Sequence, residues 1–233
     1  MDTNKFWNLY GSKSQKKLGE EDEGTDWESI TCPIDEGHLR GGKRLTNLSV
    51  ILPGSSVNSF VWTWASQCLI QDHVLDSFRS HGLTGFDVKP CKARFKKDIG
   101  KQPPNLWELI VTGWAGMAPP ESGVKLVEYC EGCKHMVYSM FTEAEKLIDA
   151  KQWDGSDFFM VWPLPRFVFI TDRAAEIIQK ASWKDSQILS LADLQARALK
   201  QRKYVGDILS PGRLSYVMQD DRARQLGCPL GIY

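Results

Sequence analysis

The chain has no excess of charge of either sign, since 29 lysines and arginines balance 29 aspartates and glutamates. Proteins that bind DNA or RNA through a general electrostatic attraction carry a basic surplus, so a nucleic-acid partner is not expected. No apolar run approaches the roughly 18 residues of a membrane-spanning helix, and no membrane association is expected. The first residues lack the apolar stretch and the cleavage site of a signal peptide, which predicts a cytoplasmic location.

The sequence has few histidines and no recognisable catalytic motif. Its 4 histidines do not form His-x-Glu or His-Glu-x-x-His arrays. A nucleophile elbow, a phosphate-binding loop and a dinucleotide fingerprint are also missing from the sequence. The acidic turn Asp154-Gly-Ser-Asp157 is typical of an ordinary loop, because Asp-Gly is a strong turn signal. We therefore expect a protein that is not an enzyme.

The pattern of apolar residues predicts an α+β fold with mixed or antiparallel sheets and a few helices. Two segments lie one hundred residues apart and follow the same plan. In each, a short apolar strand precedes an aspartate, Asp72 or Asp172, which we interpret as a helix N-cap. Apolar residues at helical spacing and a further strand follow. The chain is therefore expected to contain two similar strand–helix–strand units.

Three regions are predicted from composition. Residues 1–29 form a polar N-terminal arm, whose acidic part is either a solvated face or a lure for a basic partner. Residues 30–194 form an α+β domain with two related halves, at about 45–120 and 121–194. Residues 195–233 form a C-terminal helix and a tail that packs loosely or docks on a partner.

The cysteines suggest a metal site. Six cysteines without an export signal are expected to be reduced thiols rather than a disulfide framework. Cys130-Glu-Gly-Cys133 is predicted on the turn of a β-hairpin, and its two-residue gap aims both sulfurs at one tetrahedral ion. Cys32 opens a similar segment, so the two segments together offer three thiols for Zn²⁺.

The identity of the fourth ligand stays open in the sequence. Asp35 stands where a complete second Cys-x-x-Cys motif would have cysteine, and His38 or His135 could serve instead. Two other interpretations compete with a zinc site. The thiols are packed as small apolar groups at a vestigial site, or the Cys-x-x-Cys pair is a redox dithiol.

Several short motifs carry a family resemblance: Cys32-Pro, Cys130-x-x-Cys133, the turn Gly82-Leu-Thr-Gly85, and Trp153-Asp-Gly-Ser-Asp-Phe158-Phe leading to Phe169-Ile-Thr-Asp172-Arg173. Together they resemble the double-CXXCG motif proteins, a group prominent in myxobacteria that includes immunity proteins against contact-delivered toxins. The resemblance extends from Cys32 to about Leu194. Asp35 replaces a motif cysteine, and Lys134 replaces a motif glycine.

The resemblance implies a non-catalytic immunity-type protein that binds and neutralises a cognate protein toxin. Trp114, Trp153, Asp154 and Asp157 are the candidate interface residues, as aromatic anchors and charged contacts. The alternative is a zinc-knuckle module that binds another protein or a nucleic acid, with the basic run Lys89–Lys101 as its contact surface.

Overall fold

The computed structural model describes residues 5–11, 18–38, 40–98, 100–205 and 207–233. The α-helices of this part are α1 (Asp72–Ser80), α2 (Asp172–Ala181), α3 (Leu191–Val205) and α4 (Asp220–Gly227). The strands are β1 (Phe6–Tyr10), β2 (Glu20–Glu21), β3 (Trp27–Ile30), β4 (Arg40–Arg44), β5 (Ser49–Leu52), β6 (Phe60–Trp62), β7 (Cys68–Gln71), β8 (Phe86–Phe95), β9 (Leu106–Val111), β10 (Gly113–Met117), β11 (Leu126–Tyr129), β12 (Met136–Tyr138), β13 (Phe158–Trp162), β14 (Val168–Thr171), β15 (Gln187–Ser190) and β16 (Ile208–Ser210). The α+β prediction is confirmed. Among the described residues, no helix combines the length and apolar character needed to cross a membrane.

Two sheets contain the same four-stranded unit. The larger sheet has the order β2-β5-β8-β9-β7-β6, and the second has the order β10-β13-β14-β1-β15. The strands β8-β9-β7-β6 therefore match β15-β1-β14-β13, and all neighbours within both sets are antiparallel. Helix α1 follows β7 and α2 follows β14. The two predicted strand–helix–strand units are present, β7-α1-β8 and β14-α2-β15.

The N-terminal strand completes the second unit. β1 lies between β14 and β15, in the position that β9 occupies between β7 and β8. The structure thus differs from the predicted polar arm at Phe6–Tyr10, whose partners are more than 150 residues away in sequence and leave no local signal. Glu20–Glu21 also pairs in a sheet, with β5, and Trp27–Ile30 pairs with β4. Residues 1–4 and 12–17 of the predicted arm lie outside the described part.

Equivalent side chains hold each helix to its sheet. The indole Nε1 of Trp107 donates to Asp72 Oδ1 at 2.6 Å, and that of Trp7 donates to Asp172 Oδ1 at the same distance. The prediction that both aspartates are N-caps is corrected, because each is the first helical residue. Gln71 and Thr171 occupy the cap positions, and only the Thr171 hydroxyl accepts a backbone N–H. The negative charges of the two aspartates still stabilise the positive N-terminal ends of the helix dipoles.

The two units pack on each other in a reciprocal way. The amide of Phe60 donates to the Lys184 carbonyl at 3.3 Å, and the amide of Phe158 donates to the Thr84 carbonyl at 3.0 Å. Thr84 and Lys184 hold the same place in the helix-to-strand turn of each unit. Phe78 and its neighbours from both units fill the largest apolar cluster. The halves therefore share one core.

The C-terminal segment packs on this core rather than loosely. β16 pairs with β12, and the Leu214 amide donates to the Ile232 carbonyl at 2.6 Å. Leu214, Met218, Ala223 and Ile232 are buried in the shared cluster. The predicted docking surface for this segment is thus the chain itself.

Candidate metal centre

The hairpin β11–β12 forms one side of the site, as the Cys-x-x-Cys spacing predicts. The Cys130 amide donates to the His135 carbonyl at 2.9 Å, and the Lys134 amide donates to the Cys130 carbonyl at 2.8 Å. Lys134 has φ of 58°, in the left-handed region where glycine is favoured. The resembled motif has glycine at this position, and the positive φ explains why glycine is favoured there. This turn directs both thiols to the same side.

The segment after β3 forms the other side of the site. The amides of Ile34 and Asp35 donate to Cys32 Sγ at 3.4 and 3.3 Å. The His38 amide donates to the Asp35 carbonyl at 3.0 Å, and this turn brings the imidazole back beside the thiol. Donors that converge on a sulfur stabilise its thiolate form, which is the form that binds metals.

The two segments bring three thiols and one imidazole together. Cys32 Sγ lies 3.5 Å from Cys130 Sγ, and His38 Nδ1 lies 3.8 Å from Cys133 Sγ. All four ligand atoms are within 4.8 Å of one another. A tetrahedral ion with bonds of about 2.3 Å to sulfur and 2.0 Å to nitrogen separates its ligands by roughly 3.5–3.8 Å. The cluster can therefore hold a metal ion.

Asp35, which is also a predicted ligand, lies outside this four-residue cluster. Its short side chain is folded onto its own turn, where Oδ1 accepts the Gly37 amide at 2.8 Å. Its Oδ2 lies 3.4 Å from His38 Nε2, on the side of the ring that faces away from the thiols. Asp35 thus contacts His38 and is turned away from the three thiols.

Glu128 is a residue of the candidate site that sequence reasoning missed. Its Oε1 lies 3.2 Å from His38 Nε2, so it accepts from the ring nitrogen opposite the one near Cys133. Such a contact fixes the tautomer and the orientation of a metal-binding histidine. His135, the other candidate ligand, stacks on His38 with centroids 4.4 Å apart. It belongs with His38 and Glu128 to a second group of possible ligands.

Two of the three thiols in this cluster, Cys32 and Cys130, have a lowered pKa. The Cys133 amide, opposed by burial, lowers the pKa of Cys130, and His38 lowers it further. Burial raises the pKa of Cys32, but the amides of Asp35 and Ile34 outweigh it and the net pKa is lowered. Burial raises the pKa of Cys133. The hydrogen bond with Cys130 raises the pKa of His38, against burial.

The remaining cysteines have a different environment. Burial raises the pKa of Cys91 to about 12 and also raises that of Cys68. Cys228 is exposed, and all six cysteines are free. Outside the cluster, Cys68 and Cys91 are thus held as neutral thiols, which do not bind metals well.

The four residues predicted as interface contacts are engaged within the fold. Trp114 is buried in the core. Trp153 packs against aromatic rings with its indole bonded to Ser156, while Asp157 is buried and accepts from Arg173 at 2.9 Å. Asp154 accepts the Trp114 amide at 3.0 Å and pairs with Arg222. Trp114 and Asp157 are buried and do not offer an interface, whereas an interface at the more exposed Trp153 and Asp154 stays a prediction.

The acidic N-terminal stretch and the basic run face each other. Arg94 Nε lies 2.7 Å from Asp22 Oδ2, and Lys96 Nζ lies 3.0 Å from Glu20 Oε1. Part of the basic charge that suggested a nucleic-acid contact is therefore neutralised inside the chain.

The comparisons with known proteins add no relative. No model of a known protein family matches the chain. No curated protein matches it either. The resemblance to the double-CXXCG motif proteins stays a prediction from the residues.

Proposed function

We propose that Cys32, Cys130, Cys133 and His38 bind one structural Zn²⁺ ion. The observation that carries this proposal is the meeting of three thiols and an imidazole from segments 98 residues apart. Three sulfurs and one nitrogen form a ligand set that zinc favours, and four protein ligands leave no open position for a substrate. Thiols that packed only as apolar groups would have no need of the N–H donors that point at Cys32.

The ion ties two surface segments together and leaves the main core independent. The three cysteines form a separate small cluster with Ile30, apart from the large apolar clusters of the two units. Metal binding therefore orders strand β11, the turn 130–133 and the neighbouring strands β3 and β4, whereas β12 is held by Met136 and Tyr138 in the main core. Removal of the ion releases this corner of the molecule, while the paired units stay folded.

We infer a non-catalytic, cytoplasmic binding protein of the immunity type, which occludes a cognate toxin. The inference is supported by the motif resemblance and by a closed metal site that has no role for a substrate. The cytoplasm keeps thiols reduced and available to zinc. Nucleic-acid binding by the basic run is disfavoured, because Arg94 and Lys96 are already paired with acidic side chains.

Metal analysis of the purified protein tests the zinc centre. We expect about one zinc per chain by mass spectrometry of the metal content. His38→Ala lowers this content, whereas Asp35→Ala, which removes a side chain from the same turn, retains it. Full zinc content in His38→Ala, or none in the wild-type chain, contradicts the assignment.

Co-expression tests the immunity function. A candidate toxin from a neighbouring gene is expressed with and without the protein, and cell growth and copurification are measured. Rescue of growth together with a stable complex supports the function. Failure of both contradicts it, and leaves the zinc assignment to its own measurement.

A further inference from the structure

Exposed apolar side chains are concentrated around the hairpin β11–β12. Five of the ten large apolar residues that are most exposed in the described part lie here, from 40% exposed for Tyr129 to 70% for Ile34. The other three are Leu126, Val127 and Leu209. They belong to β11, to β16 and to the Cys32 segment, which touches the hairpin at Gly132. We call the sheet β11-β12-β16 the knuckle sheet.

The knuckle sheet ends in an open strand. β11 is an edge strand, and no described strand pairs with its outer side. The Cys130 amide bonds inward, to His135. Because successive residues of a strand direct their backbone groups to opposite sides, Tyr129 directs its N–H and C=O toward the outer edge. An exposed apolar edge of this kind is a template for another strand.

Acidic side chains outnumber the two basic ones, Lys125 and Lys134, around the edge. Asp35, Glu128 and Glu131 are more than half exposed, and Glu36 is exposed beside them. Lys134 is paired with Glu131 at 2.8 Å. If zinc is bound as proposed, three thiolates also exceed the charge of the ion and add a negative charge. A second copy of the chain would place like charges together, whereas a basic strand would be attracted.

We propose that the outer edge of β11 binds an extended segment of a partner protein, in which apolar residues alternate with basic ones. The segment adds a strand to the knuckle sheet, its apolar side chains contact Val127 and Tyr129, and its basic side chains face Glu128 and Glu131. The identification of the partner as a toxin rests on the proposed function. The binding of a strand at this edge can be measured without the toxin.

Peptide binding gives the direct test. Zinc-loaded protein is applied to arrays of short synthetic peptides in which apolar residues alternate with lysine, glutamate or serine. We expect the lysine series to retain about tenfold more protein than the glutamate series, because of the charge complementarity. Val127→Lys and Glu131→Lys abolish this preference. Leu45→Lys is the matched control, since Leu45 is 66% exposed outside the knuckle sheet.

Each outcome decides the question. Equal retention of the three series, preference for glutamate, or binding unaffected by Val127→Lys overturns the proposal. Sedimentation of the free protein tests whether a second copy of the chain binds the edge instead. A dimer that dissociates in Val127→Lys would show this and overturn the proposal. Zinc content measured on the same samples separates loss of the surface from loss of the metal centre.

Discussion

Glu128→Gln tests whether the proposed zinc centre depends on the orientation of His38. His38 presents Nδ1 to the thiols, 3.8 Å from Cys133 Sγ, while Nε2 lies 3.2 Å from Glu128 Oε1. Glutamine keeps the length of the side chain but removes its charge, and its amide can donate a hydrogen bond as well as accept one from His38 Nε2. Loss of such an outer contact typically costs about 10–100-fold in metal affinity.

The structure places the expected effect at the lower end of that range. Glu128 is 51% exposed, so water competes for its carboxylate, and Asp35 offers a second acceptor 3.4 Å from the same nitrogen. We expect zinc affinity to fall about tenfold. The assay is a zinc titration of the reduced, metal-free protein against a chromophoric chelator.

Glu131→Gln is the matched control. Glu131 lies on the same hairpin and carries the same charge, but it is 75% exposed and pairs with Lys134 rather than with His38. Its substitution should change the affinity by less than about twofold. Equal losses in the two variants would show that only the local charge matters, and an unchanged affinity in Glu128→Gln would refute the orienting role of Glu128.

Three further predictions concern stability, measured by urea unfolding. Arg44→Met leaves the buried Glu108 carboxylate without its ion pair and should lower the free energy of unfolding by about 3–5 kcal/mol. The double variant with Glu108→Leu should recover most of this loss, and a loss of less than about 1 kcal/mol in Arg44→Met contradicts the prediction. Lys134→Gly should stabilise the fold by about 1 kcal/mol, because it relieves the φ of 58°, and a destabilised variant would refute the strain. The hydrogen bond from Arg94 lowers the pKa of Asp22, so this pair stabilises the fold above the unfolded pKa and loses its effect as the pH falls through the folded pKa. Arg94→Gln should therefore destabilise the fold slightly at neutral pH and have no effect in strong acid, and an effect that persists in acid contradicts the pairing.

The repeated units could be predicted because their signals are local. In α1, Val74, Leu75 and Phe78 are buried on one face, and α2 buries Ala174, Ala175 and Ile178 at the same spacing. Helical periodicity is a property of a few neighbouring residues. The position of β1 is not, since its register joins Phe6 to Thr171 and Leu9 to Val168. Nothing in a five-residue strand encodes a partner so distant.

The metal cluster was predictable only as far as its cysteine spacing. Asp35 and His38 are equally plausible from sequence, and the turn between them decides which side chain reaches the thiols. Glu128 lies on a strand whose residues are all exposed, so no periodicity marks it. Trp114 illustrates the reverse error, because an amphipathic ring suits a core as well as an interface. Side-chain direction was the missing information in each case.

The repeat relates the segment that begins at Cys32 to the turn 130–133, and these two segments meet at the thiol cluster. Since β1 is the counterpart of β9, the connection from β1 to β6 is the counterpart of the connection from β9 to β13. Cys32 lies in the first connection, and Cys130 and Cys133 lie in the second. We infer that the two cysteine segments are equivalent, so that Asp35 holds the place of Cys133 in the other segment.

This equivalence makes a final prediction about the fourth ligand. The Asp35 amide already donates to Cys32 Sγ at 3.3 Å, as expected for the last residue of a Cys-x-x-Cys turn. Asp35→Cys should therefore restore zinc binding to the His38→Ala variant by completing a four-thiolate site. Absorption of the cobalt-substituted protein distinguishes four sulfurs from three, and Asp35→Ser is the control that offers no thiolate. If the cysteine variant binds no more metal than the serine variant, the two connections are not equivalent, and His38 is part of a site that arose independently of the repeat.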